Sequence, residues 1–166
     1  MHPVEKIINF LCERKLRLAI AESCTAGMAA SMLADFPGCG SVLEIGYVVY
    51  TEAAKNRCLG VSYQTIKRFG LTSEEVALEM ALGALDTSDA DISLAITGTA
   101  ESNDHLNGVI CFAFAVRGEG EIQQYSETIK FYGDRNSVRK QAAKHVILSI
   151  PGYYSKLVTG AGGSIP

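Results

Sequence analysis

Long apolar runs are missing from the 166-residue sequence. No segment approaches the roughly 18 consecutive apolar residues that a membrane-spanning helix needs. The first residues, MHPVEKII, also lack the basic stretch followed by a long apolar stretch that is typical of a secretory signal. We therefore expect a cytoplasmic protein with no membrane partner.

Positive charge is not in excess either. Fifteen lysines and arginines stand against eighteen aspartates and glutamates, which gives a formal net charge of −3. A nucleic-acid-binding surface needs clustered basic side chains that neutralise phosphates, so we expect no nucleic-acid partner. The composition still allows a local basic pocket that binds one small anion.

Metal-binding patterns are absent as well. The five cysteines show neither C-x-x-C spacing nor a histidine at ligand distance. They are Cys12, Cys24, Cys39, Cys58 and Cys111. Their odd number and spacing favour a reducing compartment, and we predict no structural zinc and no other metal site. None of His2, His105 and His145 is well placed for a Ser-His-Asp enzyme.

Length and composition are those of an ordinary globular protein, with 48% hydrophobic and 20% charged residues, 16 glycines and 4 prolines. A chain of this size buries enough surface to fold without disulfide or metal staples. We predict a single domain over 1–158, followed by a flexible, glycine-rich tail over 159–166.

Hydrophobic periodicity and capping residues predict helices that alternate with strands. An amphipathic helix ends near Leu16, and a helix follows the first strand to about Leu33. Thr51 caps a helix to Leu59, a capping box of Thr72 and Glu75 starts a helix to about Leu85, and Asp134 caps a last helix. Strands are predicted over 17–21, 41–50, 92–97, 108–116 and 121–131, with a loop over 98–107. This order predicts an α/β fold, a mixed sheet covered by helices on its faces.

Three polar segments follow predicted strands: 22–25, 50–55 and 97–107. Ligand sites in open α/β sheets favour the carboxyl ends of strands, so we look for chemistry there.

Ser23 lies where a buried strand gives way to a helix. Unpaired backbone N–H groups of Thr25, Ala26 and Gly27 could cradle an oxyanion or a phosphate above it. The simpler interpretation is that Ser23 or Thr25 only caps the helix.

Lys55 is the second candidate, because a desolvated lysine can lose its proton near neutral pH and act as a general base for a serine. Tyr50 could relay a proton or hold that lysine. The alternatives are a solvated surface lysine and a tyrosine that finishes a strand.

Thr97, Gly98 and Thr99 could line the same pocket, or could form a turn that needs glycine. Arg135, at the start of the last helix, could pair with a phosphate or form an ordinary salt bridge.

In combination, several segments resemble the carboxy-terminal domain of the competence/damage-inducible protein CinA. The resemblance covers roughly residues 4–150. It is carried by Ala21-Glu22-Ser23-Cys24-Thr25-Ala26-Gly27, Tyr50 with Glu52, Ala54 and Lys55, Leu59-Gly60-Val61, Thr72-Ser73-Glu74-Glu75-Val76-Ala77, Ala95-Ile96-Thr97-Gly98, Gly108-Val109, and Gly133-Asp134-Arg135 with Val138-Arg139.

This resemblance implies a three-layer α/β/α sandwich, often a homo-oligomer such as a dimer, without metal or organic cofactor. Stand-alone members act as nicotinamide-nucleotide amidases, which convert nicotinamide mononucleotide to nicotinate mononucleotide and ammonia. The resemblance also implies that Ser23 is the nucleophile and Lys55 the base. Tyr50, Thr97 and Gly98 would border the site that binds this nucleotide.

The sequence departs from the family pattern in two places. Ala26-Gly27 replaces a pair of glycines, and the segment after Gly98 carries Glu101 and Asp104 where the family has a glycine run. These charges disfavour an anionic nucleotide, so an inactive or substrate-altered paralogue that acts as a binding or interaction protein is the alternative. A DNA-repair or competence module is a third possibility that no basic surface supports.

Overall fold

The computed structural model describes residues 1–160. Its helices are α1 (Pro3–Glu13), α2 (Met28–Ala34), α3 (Glu52–Leu59), α4 (Tyr63–Phe69), α5 (Glu74–Asp86), α6 (Arg135–Leu148) and α7 (Ile150–Gly160). Its strands are β1 (Leu18–Glu22), β2 (Leu43–Val48), β3 (Ile92–Thr99), β4 (Val109–Arg117) and β5 (Ile122–Lys130). A short 3-10 helix, Cys39–Ser41, precedes β2. No helix in this part of the chain is both long and apolar enough to cross a membrane.

The five strands form one mixed sheet in the order β2-β1-β3-β4-β5. Strand β1 runs parallel to both β2 and β3, and β3, β4 and β5 are successively antiparallel. The predicted α/β class with a mixed sheet is confirmed. Because β1, β2 and β3 are parallel, the segments that follow them meet at one edge of the sheet.

The two faces of the sheet carry side chains of different size. Leu18 and Ile20 of β1 pack in a cluster with α1, α2, α6 and α7, together with Phe112 and Phe114 of β4. The opposite face presents small residues, which pack against α3, α4 and α5: Ala19, Ala21, Ala95, Cys111, Ala113 and Ala115. Helices therefore cover both faces, in an α/β/α sandwich.

Small side chains allow α5 to lie close to the sheet. Ser93 of β3 donates a hydrogen bond to the Ala81 carbonyl of α5 at 2.7 Å. A Cβ at Gly83 would lie 1.9 Å from the carbonyl oxygen of Leu59. Gly83 is thus required where α5 meets the end of α3, the helix that carries Lys55.

Helix starts agree with the predicted caps in two cases and differ in one. Thr51 accepts from the Ala54 N–H at 3.0 Å, and Asp134 accepts from the Ser137 N–H at 2.8 Å. The cap of α5 is Ser73, not Thr72. The Thr72 hydroxyl is instead 2.7 Å from that of Thr99, and so joins the start of α5 to the end of β3.

Other boundaries also differ from the sequence prediction. Helix α1 ends at Glu13 rather than near Leu16, and β3 continues through Gly98 to Thr99, where a loop was predicted. Helices α4 and α7 were not predicted. Thr159 and Gly160, assigned to the flexible tail, belong to the backbone of α7, and the remainder of that tail, 161–166, lies outside the described residues.

Candidate active site

Ser23 follows the last residue of β1 directly and is almost buried, with 7% of its surface exposed. Its backbone N–H donates to the carbonyl of Ile96 in β3 at 3.0 Å, which extends the pairing of the two parallel strands by one step. The Ala26 N–H then donates to the Ser23 carbonyl at 3.0 Å and closes a tight turn. Ser23 is therefore held at the carboxyl edge of the sheet.

Lys55 reaches the same point from α3. Its side chain is buried, with 1% of the residue exposed. The Nζ atom donates to Ser23 Oγ at 2.8 Å, to the Val49 carbonyl at 2.9 Å and to the Tyr50 carbonyl at 3.2 Å. The structure thus brings together the two residues that the sequence predicts as base and nucleophile.

The backbone between β2 and α3 explains this position. Val49 follows β2, and its N–H donates to the Glu22 carbonyl at 2.9 Å, which ties the segment to the end of β1. Thr51 then starts α3, so that Lys55 lies one turn into the helix, and its N–H donates to the Thr51 carbonyl at 3.0 Å. Lys55 therefore faces the sheet rather than solvent.

Burial lowers the pKa of Lys55 below that of an ordinary lysine, because a charged amine loses its hydration inside the protein. A neutral amine has two N–H donors and one lone pair. The carbonyls of Val49 and Tyr50 accept two hydrogen bonds, which leaves the lone pair for the Ser23 hydroxyl. The arrangement is suited to removal of the proton from Ser23.

Cys24, next to Ser23, is a poor competitor as nucleophile. Burial raises the pKa of its thiol to about 11, so the thiol stays protonated at neutral pH, and thiolate is the nucleophilic form of cysteine.

Two residues that organise this turn were not predicted as site residues. The buried carboxylate of Glu22 accepts hydrogen bonds from Thr25 Oγ1 at 2.6 Å and from the N–H groups of Ala29 and Ala30 at 2.9 and 3.1 Å. Arg139 of α6 donates from Nε to the Cys24 carbonyl at 2.8 Å. The sequence did carry a signal for Glu22. Alternate residues of a strand share a face, so this carboxylate lies on the same face as the apolar Leu18 and Ile20. Arg139 is 115 positions from Cys24, and no local pattern predicts that contact.

The predicted backbone cradle is partly retained. The Thr25 hydroxyl is used by Glu22, and the Ala26 N–H by the turn itself. Within residues 1–160, the backbone N–H groups of Thr25 and Gly27 have no hydrogen-bond acceptor. Ala26 and Gly27 both have positive φ, +48° and +96°. These two free donors are candidates for binding an oxyanion.

Tyr50 contributes its carbonyl to Lys55, while its side chain points elsewhere. The residue is 52% exposed, and its hydroxyl accepts a hydrogen bond from Arg135 Nη2 at 3.1 Å. Tyr50 and Arg135 therefore form an exposed pair beside the site. Within the described chain, the hydroxyl of Tyr50 has no hydrogen bond to Lys55.

The residues at the end of β3 are committed mainly to the fold. Thr97 is buried and donates to the Leu71 carbonyl at 2.9 Å, and Thr99 pairs with Thr72. Gly98 lies in the strand rather than in a turn. A Cβ there would come within 2.6 Å of the Val109 carbonyl, so Gly98 permits the close approach of β4.

Side chains of the segment after β3 form hydrogen bonds with other residues of the same segment. Asp104 accepts from Ser102 Oγ at 2.7 Å and from the Leu106 N–H at 2.9 Å, and the Asn107 side chain accepts from the Ser102 N–H. The hydrogen bond from Ser102 contributes most to lowering the pKa of Asp104. Glu101 is exposed and, within residues 1–160, has no hydrogen bond or ion pair.

Across the described residues, no group of three or more His, Cys, Asp or Glu side chains is arranged to hold a metal ion. All five cysteines are free thiols.

The fold and this edge of the sheet define an α/β/α protein with a buried serine–lysine pair at the carboxyl ends of its parallel strands. Comparison with known proteins agrees: residues 2–152 match the model of the CinA C-terminal domain. The chain belongs to the CinA C-terminal domain family.

Among curated relatives, the chain is 38% identical over 154 residues to a putative competence-damage inducible protein of Symbiobacterium thermophilum, covering 87% of this chain and 36% of the relative. It is 42% identical over 122 residues to a CinA-like protein of Chlorobium chlorochromatii, covering 71% and 29%. The chain thus spans about a third of the length of these relatives.

Solved structures of similar length also match. A CinA superfamily protein from Escherichia coli has a TM-score of 0.83 and 34% identity, covering 90% of this chain and 87% of that one. The competence damage-inducible protein A of Klebsiella pneumoniae has a TM-score of 0.86 and 27% identity, covering 92% and 95%.

Proposed function

We propose that this protein is an amidohydrolase that removes ammonia from a carboxamide by a serine–lysine mechanism, with nicotinamide mononucleotide as substrate and nicotinate mononucleotide as product. The observation that carries the mechanism is the 2.8 Å hydrogen bond between Lys55 Nζ and Ser23 Oγ inside the protein. The substrate follows from the family resemblance of the sequence. It would bind as a small molecule at the carboxyl edge of the sheet, with no cofactor.

In the first half of the reaction, Ser23 Oγ forms a bond to the amide carbon while its proton passes to the neutral Nζ of Lys55. The carbonyl oxygen becomes an oxyanion, which the N–H groups of Thr25 and Gly27 are free to bind. Lys55 then returns the proton to the amide nitrogen, the C–N bond breaks, and ammonia leaves. Ser23 is left as an ester.

In the second half, water attacks the ester carbon and gives one proton to Lys55. The bond to Ser23 Oγ breaks, the proton returns to Oγ, and the carboxylic acid is released. The cycle consumes one water and leaves both side chains as they began.

Release of ammonia from nicotinamide mononucleotide by the purified chain tests this proposal. Ser23→Ala and Lys55→Met remove the nucleophile and the base, whereas Ser31→Ala and Lys67→Met alter exposed residues of α2 and α4 and serve as matched controls. Ammonia release that survives in both site variants, or is absent from the unmodified protein, contradicts the proposal.

One observation favours a second function, that of a binding protein without turnover. Glu101 is exposed on the segment that follows β3 and has no ion pair within residues 1–160, so its negative charge would oppose an anionic nucleotide bound against that segment. Thermal unfolding with a panel of pyridine nucleotides separates the two functions, because a ligand that binds only the folded state raises Tm. A raised Tm without ammonia release supports the binding protein, and turnover excludes it.

A further inference from the structure

Glu22 is a buried carboxylate, 1% exposed, that directly precedes Ser23. Oε1 accepts from Thr25 Oγ1 and the Ala29 N–H, and Oε2 accepts from the Ala30 N–H at 3.1 Å. One donor lies in the turn after Ser23, and the other two lie in the first turn of α2. The carboxylate therefore joins the end of β1 to both parts of the segment that contains Ser23.

The charge of Glu22 is satisfied by neutral donors alone. Within the described residues, no lysine, arginine or histidine forms an ion pair with it. A buried carboxylate is costly unless its oxygens are well bonded. Here both oxygens are bonded, and the donors belong to the turn and to the start of α2.

The turn needs such support because its backbone is strained. Ala26 has a φ of +48°, a region that residues with a Cβ rarely adopt, and Gly27 follows at +96°. Without the bonds to Glu22, Thr25 and the start of α2 are released from the end of β1, and the chain around Ser23 can relax to ordinary geometry.

We propose that Glu22 is the positioning residue of this site. Its carboxylate fixes the turn so that Ser23 Oγ meets the Nζ of Lys55, and it leaves the N–H groups of Thr25 and Gly27 unpaired. The catalytic meaning of this role rests on the proposed amidase activity, but the positional claim does not.

The titration of Lys55 tests the positional claim without any substrate. NMR of protein labelled with ¹³C at lysine Cε reports its protonation, and Ser23→Ala, which removes one hydrogen-bond partner of Nζ, gives the reference shift of the midpoint. Glu22→Gln keeps the size of the side chain but turns an NH2 group toward the Ala30 N–H. We expect Glu22→Gln to shift the midpoint in the natural chain and to cause no further shift in the Ser23→Ala background.

A matched control is Glu79→Gln. The Glu79 carboxylate accepts from the Ser62 N–H at 2.9 Å, at the cap of α4, and within residues 1–160 it has no hydrogen bond to the Ser23 turn. We expect this variant to leave the Lys55 midpoint unchanged.

The inference would be overturned if the Lys55 midpoint did not shift in Ser23→Ala or did not shift in Glu22→Gln. It would also be overturned if Glu22→Gln shifted the midpoint equally in the natural chain and in the Ser23→Ala background. An equal shift would be a direct effect of the Glu22 charge on Lys55. If the natural chain released no ammonia, only the amidase proposal would be contradicted. The positional claim would stand, since the titration needs no turnover. In an active enzyme, Glu22→Gln is expected to lower kcat at least about tenfold with KM little changed, because a displaced Ser23 weakens interactions that form only in the transition state.

Discussion

Lys55 Nζ and Ser23 Oγ are 2.8 Å apart although the residues are 32 positions apart in the chain. Lys55 is as buried as the large apolar side chains of the core. Two backbone carbonyls and one hydroxyl receive its hydrogen bonds, and no carboxylate forms an ion pair with it within residues 1–160. Burial nevertheless lowers the pKa of Lys55, which favours the neutral amine relative to an exposed lysine, and the neutral amine is the form that can accept a proton.

Replacement of Lys55 by methionine keeps an unbranched side chain of similar length and removes the amine. Because general-base catalysis contributes about 10²–10⁴-fold to a rate, we expect ammonia release to fall at least 100-fold. The measurement is steady-state ammonia production, with Lys67→Met as the exposed lysine control. Near-normal activity of Lys55→Met would remove the lysine from the mechanism.

Cys24 is expected to stay unreactive even though it adjoins Ser23. Its pKa is raised to about 11 by burial, so iodoacetamide at pH 8 should alkylate the exposed Cys12 and Cys58 well before Cys24. Peptide mass spectrometry after timed exposure measures this order. Cys24→Ala should retain most of the activity that Ser23→Ala loses. Early labelling of Cys24 would show that its thiol is activated.

Gly83→Ala is expected to damage both the fold and the site. Its Cβ would lie 1.9 Å from the Leu59 carbonyl oxygen, so α5 must move away from α3, the helix of Lys55. Overpacking of this kind costs about 1–3 kcal/mol. Urea unfolding should show the loss, and ammonia release should fall with it.

Gly152→Ala is the control for this variant, because among the described residues a Cβ at Gly152 has no neighbouring atom within 4 Å. Glycine to alanine at an unstrained position stabilises a protein by about 0.4–1 kcal/mol. Equal effects of the two substitutions would show that the α3–α5 contact is looser than described.

A second titratable cluster, away from the site, should govern stability in acid. Burial favours a higher pKa for Glu127, but hydrogen bonds from Tyr153 and His145 outweigh it, so the pKa of this carboxyl lies below its usual range. These bonds join β5 to α6 and α7. Since the folded pKa is below the unfolded one, the contribution is present above about pH 4.3 and is lost as pH falls through the folded pKa.

Urea unfolding between pH 7 and pH 3 measures this loss. We expect Glu127→Gln to weaken the dependence of the unfolding free energy on pH, and Glu119→Gln, at an exposed position, to leave it unchanged. Identical pH dependence in all three proteins would show that Glu127 does not titrate differently in the folded state.

Much of the fold was predictable because local signals agree with the packing. The buried strand before Glu22 and the caps at Thr51 and Asp134 are visible in the sequence and are present in the structure. Helices α4 and α7 were missed for physical reasons. Helix α4 is seven residues long and is held by one buried residue, Ile66, and by its cap. Helix α7 has Pro151 and Gly152 in its first turn, where the missing proline N–H costs nothing.

The site was predictable only as a set of residue types at strand ends. The convergence of Ser23 and Lys55 depends on the parallel pairing of β1 with β2 and β3, a long-range property. The same holds for Arg139, which reaches the Ser23 turn from α6. Sequence spacing identifies which residues could act, and only the packed sheet decides which of them meet.

The pH dependence of kcat/KM for ammonia release tests the central claim most directly. Lys55 must lose its proton before it can accept one from Ser23, so the rate should rise with pH. Because burial lowers the pKa of Lys55, the midpoint of this rise should lie below the ordinary lysine value of about 10.4. In Lys55→Met, the residual rate should be low and should lack this rise. An unchanged profile in Lys55→Met, at an unchanged rate, would contradict the account.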